Sequence, residues 1–261
     1  QLGQTMKEID KVVAETAIAD IVSGGTRSIA ASDAKLRNSE SAKNSSVNTP
    51  LVTEATVNKL LDVATDAKYD RQVRLRAMGA LFHGENVGFI SKIAIKKSDG
   101  TVDVDKSRAK QLEYYNKLNS EEVRRAVVEA GKLNDSVLSN YTNFAINTGI
   151  ALGKQSLDTV KARLIDRDAY ASIKFDPQSL QFTAVERELT PEGKKQQEAV
   201  SPGGVGQMKL IDLQGARRSA DELNAIVRKV KPALDLVGHK DIAAELRTRF
   251  NQFGFNIDAL R

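Results

Sequence analysis

Apolar residues return at every seventh position through the middle of this chain. Val123, Ala130, Val137, Phe144 and Ala151 fall in step, and Val127 and Tyr141 take the second seam position. A period of seven lays one stripe along a single helix face, so the segment must pack against other helices to take that stripe out of water. Asn134 and Thr148 interrupt the second seam position. Polar seam residues weaken a free-standing coiled coil but can fix register in a larger helical packing. "NSEEVRRAVVEAG" opens the repeat, with Asn119 placed as the cap and Glu122 three residues on. Gly149 and Gly153 weaken the helix near its end, each by about 1 kcal/mol relative to alanine. Leu157, Val160 and Leu164 then continue it. A helix this long predicts helical neighbours, in the same chain or in another copy, and makes the seven seam residues above the expected oligomer interface.

The flanking segments are read the same way. Residues 4–22 carry Met6, Ile9, Val13, Ala17 and Ile21 at helical spacing, and the polar stretch 24–50 has too little to bury to offset its ordering entropy. A helix is expected from Thr53 to about Phe82, buried through Val57, Leu60, Leu61, Val63 and Ala64. Arg71, Arg74 and Arg76 on it form either a solvated face or an anion-facing stripe. "ISKIAIKKSDGTVDVD" (90–105) switches to period two around Asp99-Gly100 and predicts a β-hairpin. A second hairpin is expected over 170–188, turning at Asp176-Pro177, with Ile173 and Phe175 on one arm and Leu180, Phe182 and Val185 on the other. Residues 188–204 read as polar turns. A helix follows from Val205 to Val230, with Met208, Ile211, Leu223, Ile226 and Val230 inward, and Pro232 breaks or kinks it. A last helix covers 240–252, and Phe250, Phe253 and Phe255 pin the terminus.

The expected fold is therefore mainly α, with long helices forming a helical assembly and two short β-hairpins. Three segments are expected. An N-terminal helix and polar arm occupy 1–50, a helical domain with one hairpin and the heptad helix 51–168, and a hairpin with the C-terminal helices 169–261.

Composition removes several classes of function. Among 261 residues there is no cysteine, which excludes disulfides, thiolate metal sites and a cysteine nucleophile. The two histidines, His83 and His239, are far apart and read as helix-end and turn residues, so no metal site and no cofactor is expected. Tryptophan is absent and aromatics are 5%, which argues against a stacking platform for bases or sugars. No apolar run reaches the ~18–20 residues of a membrane span, and no secretory-type sequence opens the chain. Lys+Arg outnumber Asp+Glu by 39 to 34, for a net charge of +5. That balance suits an anionic partner without the dense basic tract of a dedicated nucleic-acid binder. The basic residues Arg124, Arg125, Lys161, Arg163, Arg217, Arg218, Arg228 and Lys229 sit in small clusters on expected helices. Each cluster alone is a solvated face. Aligned across an oligomer, they would hold double-stranded DNA non-specifically through its phosphates.

One stretch points toward catalysis. In "EAVSPGGVGQMKLI", Ser201-Pro202-Gly203-Gly204 precedes Gly206-Gln207-Met208, and Glu192 lies nine residues before Ser201. This resembles the substrate loop of soluble lytic transglycosylases, the goose-lysozyme-like enzymes that cleave peptidoglycan. The resemblance implies that Glu192 is a general acid protonating the leaving glycosidic oxygen, with a pKa raised by burial.

The character of the whole chain is similar to that of the internal virion, or ejection, proteins of short-tailed bacteriophages: cysteine-free and Trp-free, with a long heptad stripe, a polar arm and no complete catalytic set. That resemblance implies a structural protein of the virion interior that self-assembles into a ring or tube and helps conduct the genome into the host cell. Its expected partners are further copies of itself, portal or other ejection proteins, double-stranded DNA and the host envelope. The alternatives are a lytic transglycosylase-like enzyme and a non-specific DNA-binding module.

Overall fold

The computed structural model describes residues 54–82, 90–200 and 203–260. The expected N-terminal helix, the polar arm, His83 and Ser201-Pro202 lie outside them. The described chain is mainly α, with one β-hairpin and one isolated antiparallel bridge. It divides into two compact units between Phe144 and Ala145, inside the heptad segment.

In the first unit the helix expected to run to Phe82 is two helices, α1 (Glu54–Thr65) and α2 (Arg71–Leu81). Two aspartates make the break. Asp66 accepts a hydrogen bond from the Lys68 amide at 2.9 Å, and Asp70 caps α2 by accepting from the Gln72 amide at 2.9 Å. Such local side-chain acceptors offer the backbone an alternative to the continuing helix. Around Asp99-Gly100 the expected hairpin forms only as the single bridge Lys96↔Val102. It cannot extend because α3 (Val104–Leu118) begins at once, with Asp103 capping the Lys106 amide.

The heptad segment is three helices: α4 (Glu121–Gly131), α5 (Asp135–Leu152) and α6 (Lys154–Leu164). The cap of α4 is Ser120, whose hydroxyl accepts from the Val123 amide, and Asn119 instead ends α3. Asn134, the polar seam residue, accepts from the amide and hydroxyl of Ser136 at 3.1 and 2.7 Å. It therefore starts α5. Gly153 separates α5 from α6 because the chain passes close to the core there. A Cβ on it would meet Ile226 Cδ1 at 2.5 Å.

An aromatic cluster fills the first unit. Phe82 meets Tyr141 edge-on at 5.1 Å and Phe144 at 5.5 Å, and Tyr115 lies 5.9 Å from Phe144. Beneath it, the Tyr141 hydroxyl donates to Asn119 Oδ1. Burial pushes the Tyr141 phenol up to about 12 and raises Tyr115 further. The neutral phenols therefore favour the folded state. Their contribution is complete below the ordinary tyrosine value of 10.0 and is lost as pH rises toward 12. Thermal midpoints measured across that window should fall with pH. Tyr141→Phe should flatten the slope, whereas identical slopes for the two chains would contradict the assignment.

In the second unit, β1 (Ala171–Asp176) and β2 (Gln181–Glu186) pair antiparallel, with Phe175 opposite Phe182. The 33-residue helix α8 (Gly204–Leu236) lies against them. Its Asn224 amide accepts from the Phe182 N–H at 2.8 Å and donates to the Phe182 carbonyl at 3.0 Å, standing in for a third strand. Ile146, Ile150, Leu157 and Val160 share this core with Ile173, Phe182, Leu223 and Ile226 of the hairpin and α8. Leu246 and Phe250 of α9 (Ile242–Gln252) complete it, and Phe255 packs on Phe250 as expected of a pinned terminus. Pro232 does not end α8, which continues to Leu236. The fully buried Ala233 and Leu234 hold the last turn in place, offsetting a proline cost of roughly 3 kcal/mol.

Candidate functional site

The segment expected to hold a catalytic loop is a pair of helix starts. Thr190, Pro191 and Glu192 are a capping residue, a first-turn proline and a first-turn acid. They open α7 (Pro191–Val200) where turns were expected. The Thr190 hydroxyl accepts from the Gly193 amide at 3.1 Å. Glu192 is exposed. A general acid of the transglycosylase type needs a buried carboxyl, and no described residue buries this one. An acid here favours the helix N-terminus electrostatically. The glycines have a similar explanation. Gly203 is the N-cap of α8, and Gly204 enters the helix at φ +81, a left-handed conformation that suits glycine.

The first two turns of α8 depart from expectation in a second way. Ile211, expected inward, is 50% exposed, Leu210 beside it is 55% exposed, and Val200 at the end of α7 is 78% exposed. Met208 is half-buried. The inward positions here are polar or small: Asp212, Ala216 and Ser219 are buried. Asp212 is 2% exposed. One of its oxygens accepts from Arg167 at 2.6 Å and the other from the Tyr170 amide at 2.8 Å. The carboxylate thus ties α8 to the connection between α6 and β1. Sequence reasoning missed it, because an aspartate at a core position is recognisable only once its partners some forty residues away are in place.

The heptad residues are core residues of their own chain. Val123, Val127, Ala130, Val137, Tyr141 and Phe144 are all buried, and only Ala151 is exposed. The stripe expected to meet another copy is already covered, so it offers no free interface.

The basic residues divide into two groups. Arg163 is committed internally: its Nη1 donates to the Gly215 carbonyl at 3.1 Å and the Ser219 hydroxyl at 2.7 Å, clamping α6 to α8. Arg124 donates to the Asn119 carbonyl at the end of α3, and Arg125 pairs with Glu121. Lys161 and Lys229 are half-buried, and desolvation holds the Lys229 ammonium below the ordinary lysine range. Arg217, Arg218 and Arg228 remain exposed on α8. At ~3.6 residues per turn, Leu210, Arg217 and Arg228 share one side of the helix, with Asp221 among them. That side is apolar at its start and mostly basic further along.

Among the described residues no group of three or more metal-ligating side chains comes together, and no helix is long and apolar enough to cross a membrane. Compared with family models, curated proteins and solved structures, the chain matches none.

Proposed function

We propose that this is a structural, self-assembling protein of the virion-interior type, which packs into a ring or tube and helps pass a phage genome into the host cell. The observation that carries the reading is the composition of α8's outer side. Of the six large apolar side chains left exposed among the described residues, two, Leu210 and Ile211, lie on α8 and a third, Val200, ends α7. Arg217, Arg218 and Arg228 follow on the same helix. Burying Val200, Leu210 and Ile211 against another copy would remove apolar area worth ~25 cal/mol per Å². It would also bring the arginines of successive copies into one basic surface, able to hold duplex DNA through phosphate contacts that weaken with salt. The expected partners are further copies of this chain, other virion proteins such as a portal, double-stranded DNA and, during delivery, the host envelope.

Sedimentation velocity of the purified protein beside Ile211→Asp tests the interface. The parent chain should sediment well above the 28.5 kDa monomer as concentration rises. Ile211→Asp, placing a charge at a side that is already exposed, should stay monomeric with unchanged helicity. Matching profiles for the two chains would remove α8 as the contact.

A further inference from the structure

We propose that the outer face of α6, where it lies against α8 in the second unit, grips the backbone phosphates of duplex DNA with Arg163 as the central contact, a site that rests on the DNA reading above but needs no second copy of the chain. Arg163 is half-buried, and no carboxylate stands within ion-pairing reach of it among the described residues. Only one of its nitrogens is committed to α8. Nη1 gives its hydrogens to two neutral acceptors, the Gly215 carbonyl at 3.1 Å and the Ser219 hydroxyl at 2.7 Å. Nε and Nη2 meet no protein acceptor and are not buried. A charge partly withdrawn from water without a counter-ion is costly. The free edge of a guanidinium is a planar fork that two phosphate oxygens satisfy. Gly215 makes room for this placement, since a Cβ there would meet Arg163 Cδ at 3.0 Å.

The surroundings of Arg163 favour a polymer over a small anion. Gln155, Asp158, Thr159 and Arg167 line a shallow depression with it. Arg167, just past the end of α6, is anchored by the buried Asp212, and Asp158 pairs with Lys154 at 2.9 Å. Each of those charges therefore has a partner of opposite sign, which leaves the charge of Arg163 uncompensated. Both arginines are held in place by buried groups of α8, which lowers the ordering cost of binding. Gln155, Thr159 and Arg163 stand four residues apart and share one face of α6. At 1.5 Å per residue that row of donors runs about 12 Å. Over such a length one strand of a duplex presents about four phosphates. The depression is too shallow to enclose a small molecule, whereas a nucleic-acid backbone can lie across it.

Fluorescence anisotropy of a short labelled duplex, titrated with the full chain at a series of salt concentrations, tests the site in the parent and in Ile211→Asp. Thr159→Glu puts a carboxylate one turn before Arg163, the spacing at which the two pair on a helix. Position 159 is exposed, so the core is untouched. In both backgrounds this change should weaken binding roughly tenfold or more at low salt, the worth of a hydrogen bond to a charged group. It should also lower the slope of log affinity against log salt by about 1. Thr159→Gln, a neutral surface change, should stay within about threefold of the parent. Should Thr159→Glu fail to fold by circular dichroism, Ala162→Glu, exposed in the same depression, takes its place. An unchanged slope, equal losses for the Glu and Gln variants, or no DNA binding by the parent overturns the site. Inorganic phosphate saturating at one per chain in calorimetry would make it a free-anion site and overturn the DNA assignment. A parent chain that stays monomeric while its salt slope still responds to Thr159→Glu would remove the ring and leave this contact standing.

Discussion

Phe82→Ala should destabilise the first unit by about 4 kcal/mol, the largest effect expected of any single truncation here. Phe82 is 1% exposed and is the ring on which both Tyr141 and Phe144 rest. Removing it subtracts the transfer energy of the side chain and leaves a cavity between two aromatic rings. It also deletes an edge-to-face pair that adds ~0.5–1.5 kcal/mol beyond area burial. Tyr141 and Phe144 cannot easily collapse into the gap, because the Tyr141 hydroxyl is tied to Asn119. Denaturant unfolding followed by tyrosine fluorescence measures it. Tyr69, Tyr114, Tyr115 and Tyr141 lie in the first unit and Tyr170 alone in the second, so the signal reports chiefly on the unit affected. A midpoint unchanged within error would mean that the aromatic cluster does not organise this unit.

Asp212→Ala should cost the second unit about 3 kcal/mol. Removing one partner of a buried pair is ordinarily worth 3–5 kcal/mol. The low end applies, because the Arg167 side chain is 45% exposed and recovers water once released. The remainder comes from the Tyr170 N–H, which loses its acceptor in a buried position and costs ~1–3 kcal/mol. Asp212→Asn keeps the shape and one acceptor, so its loss should be about half as large. Circular-dichroism melts of the three chains check the order. Equal stabilities for Asp212→Ala and the parent would show that α8 is not held through this carboxylate.

The contrast between these two residues explains what the sequence alone could convey. The aromatic and aliphatic positions follow helical and alternating periods, so Leu223, Ile173 and Phe182 could be placed inside from pattern alone, while Phe82 stood only as the end of a helix. The seven-residue rhythm was equally legible as a stripe needing cover, but a period does not say which helix supplies the cover. Here the first unit's own helices bury it. The breaks were written in single capping residues, Asp70, Ser120, Asn134 and Thr190, that an apolar repeat overrides when read by eye. Thr190-Pro191-Glu192 in particular carries a complete helix-start signal, which the glycine-rich stretch after it obscured. Asp212 and Arg163 were not legible, because a polar residue's burial is decided by partners that only the folded chain brings near. The same holds for Ile211: its helical spacing pointed inward, while the real inward side of those turns is polar or small.

The reading of function stands on assembly through the outer side of α8, and particle images of the purified protein at high concentration test it most directly. Closed rings or short tubes, lost in Ile211→Asp, are the predicted result. A field of solitary particles of monomer size at every concentration, in the parent chain itself, would contradict it.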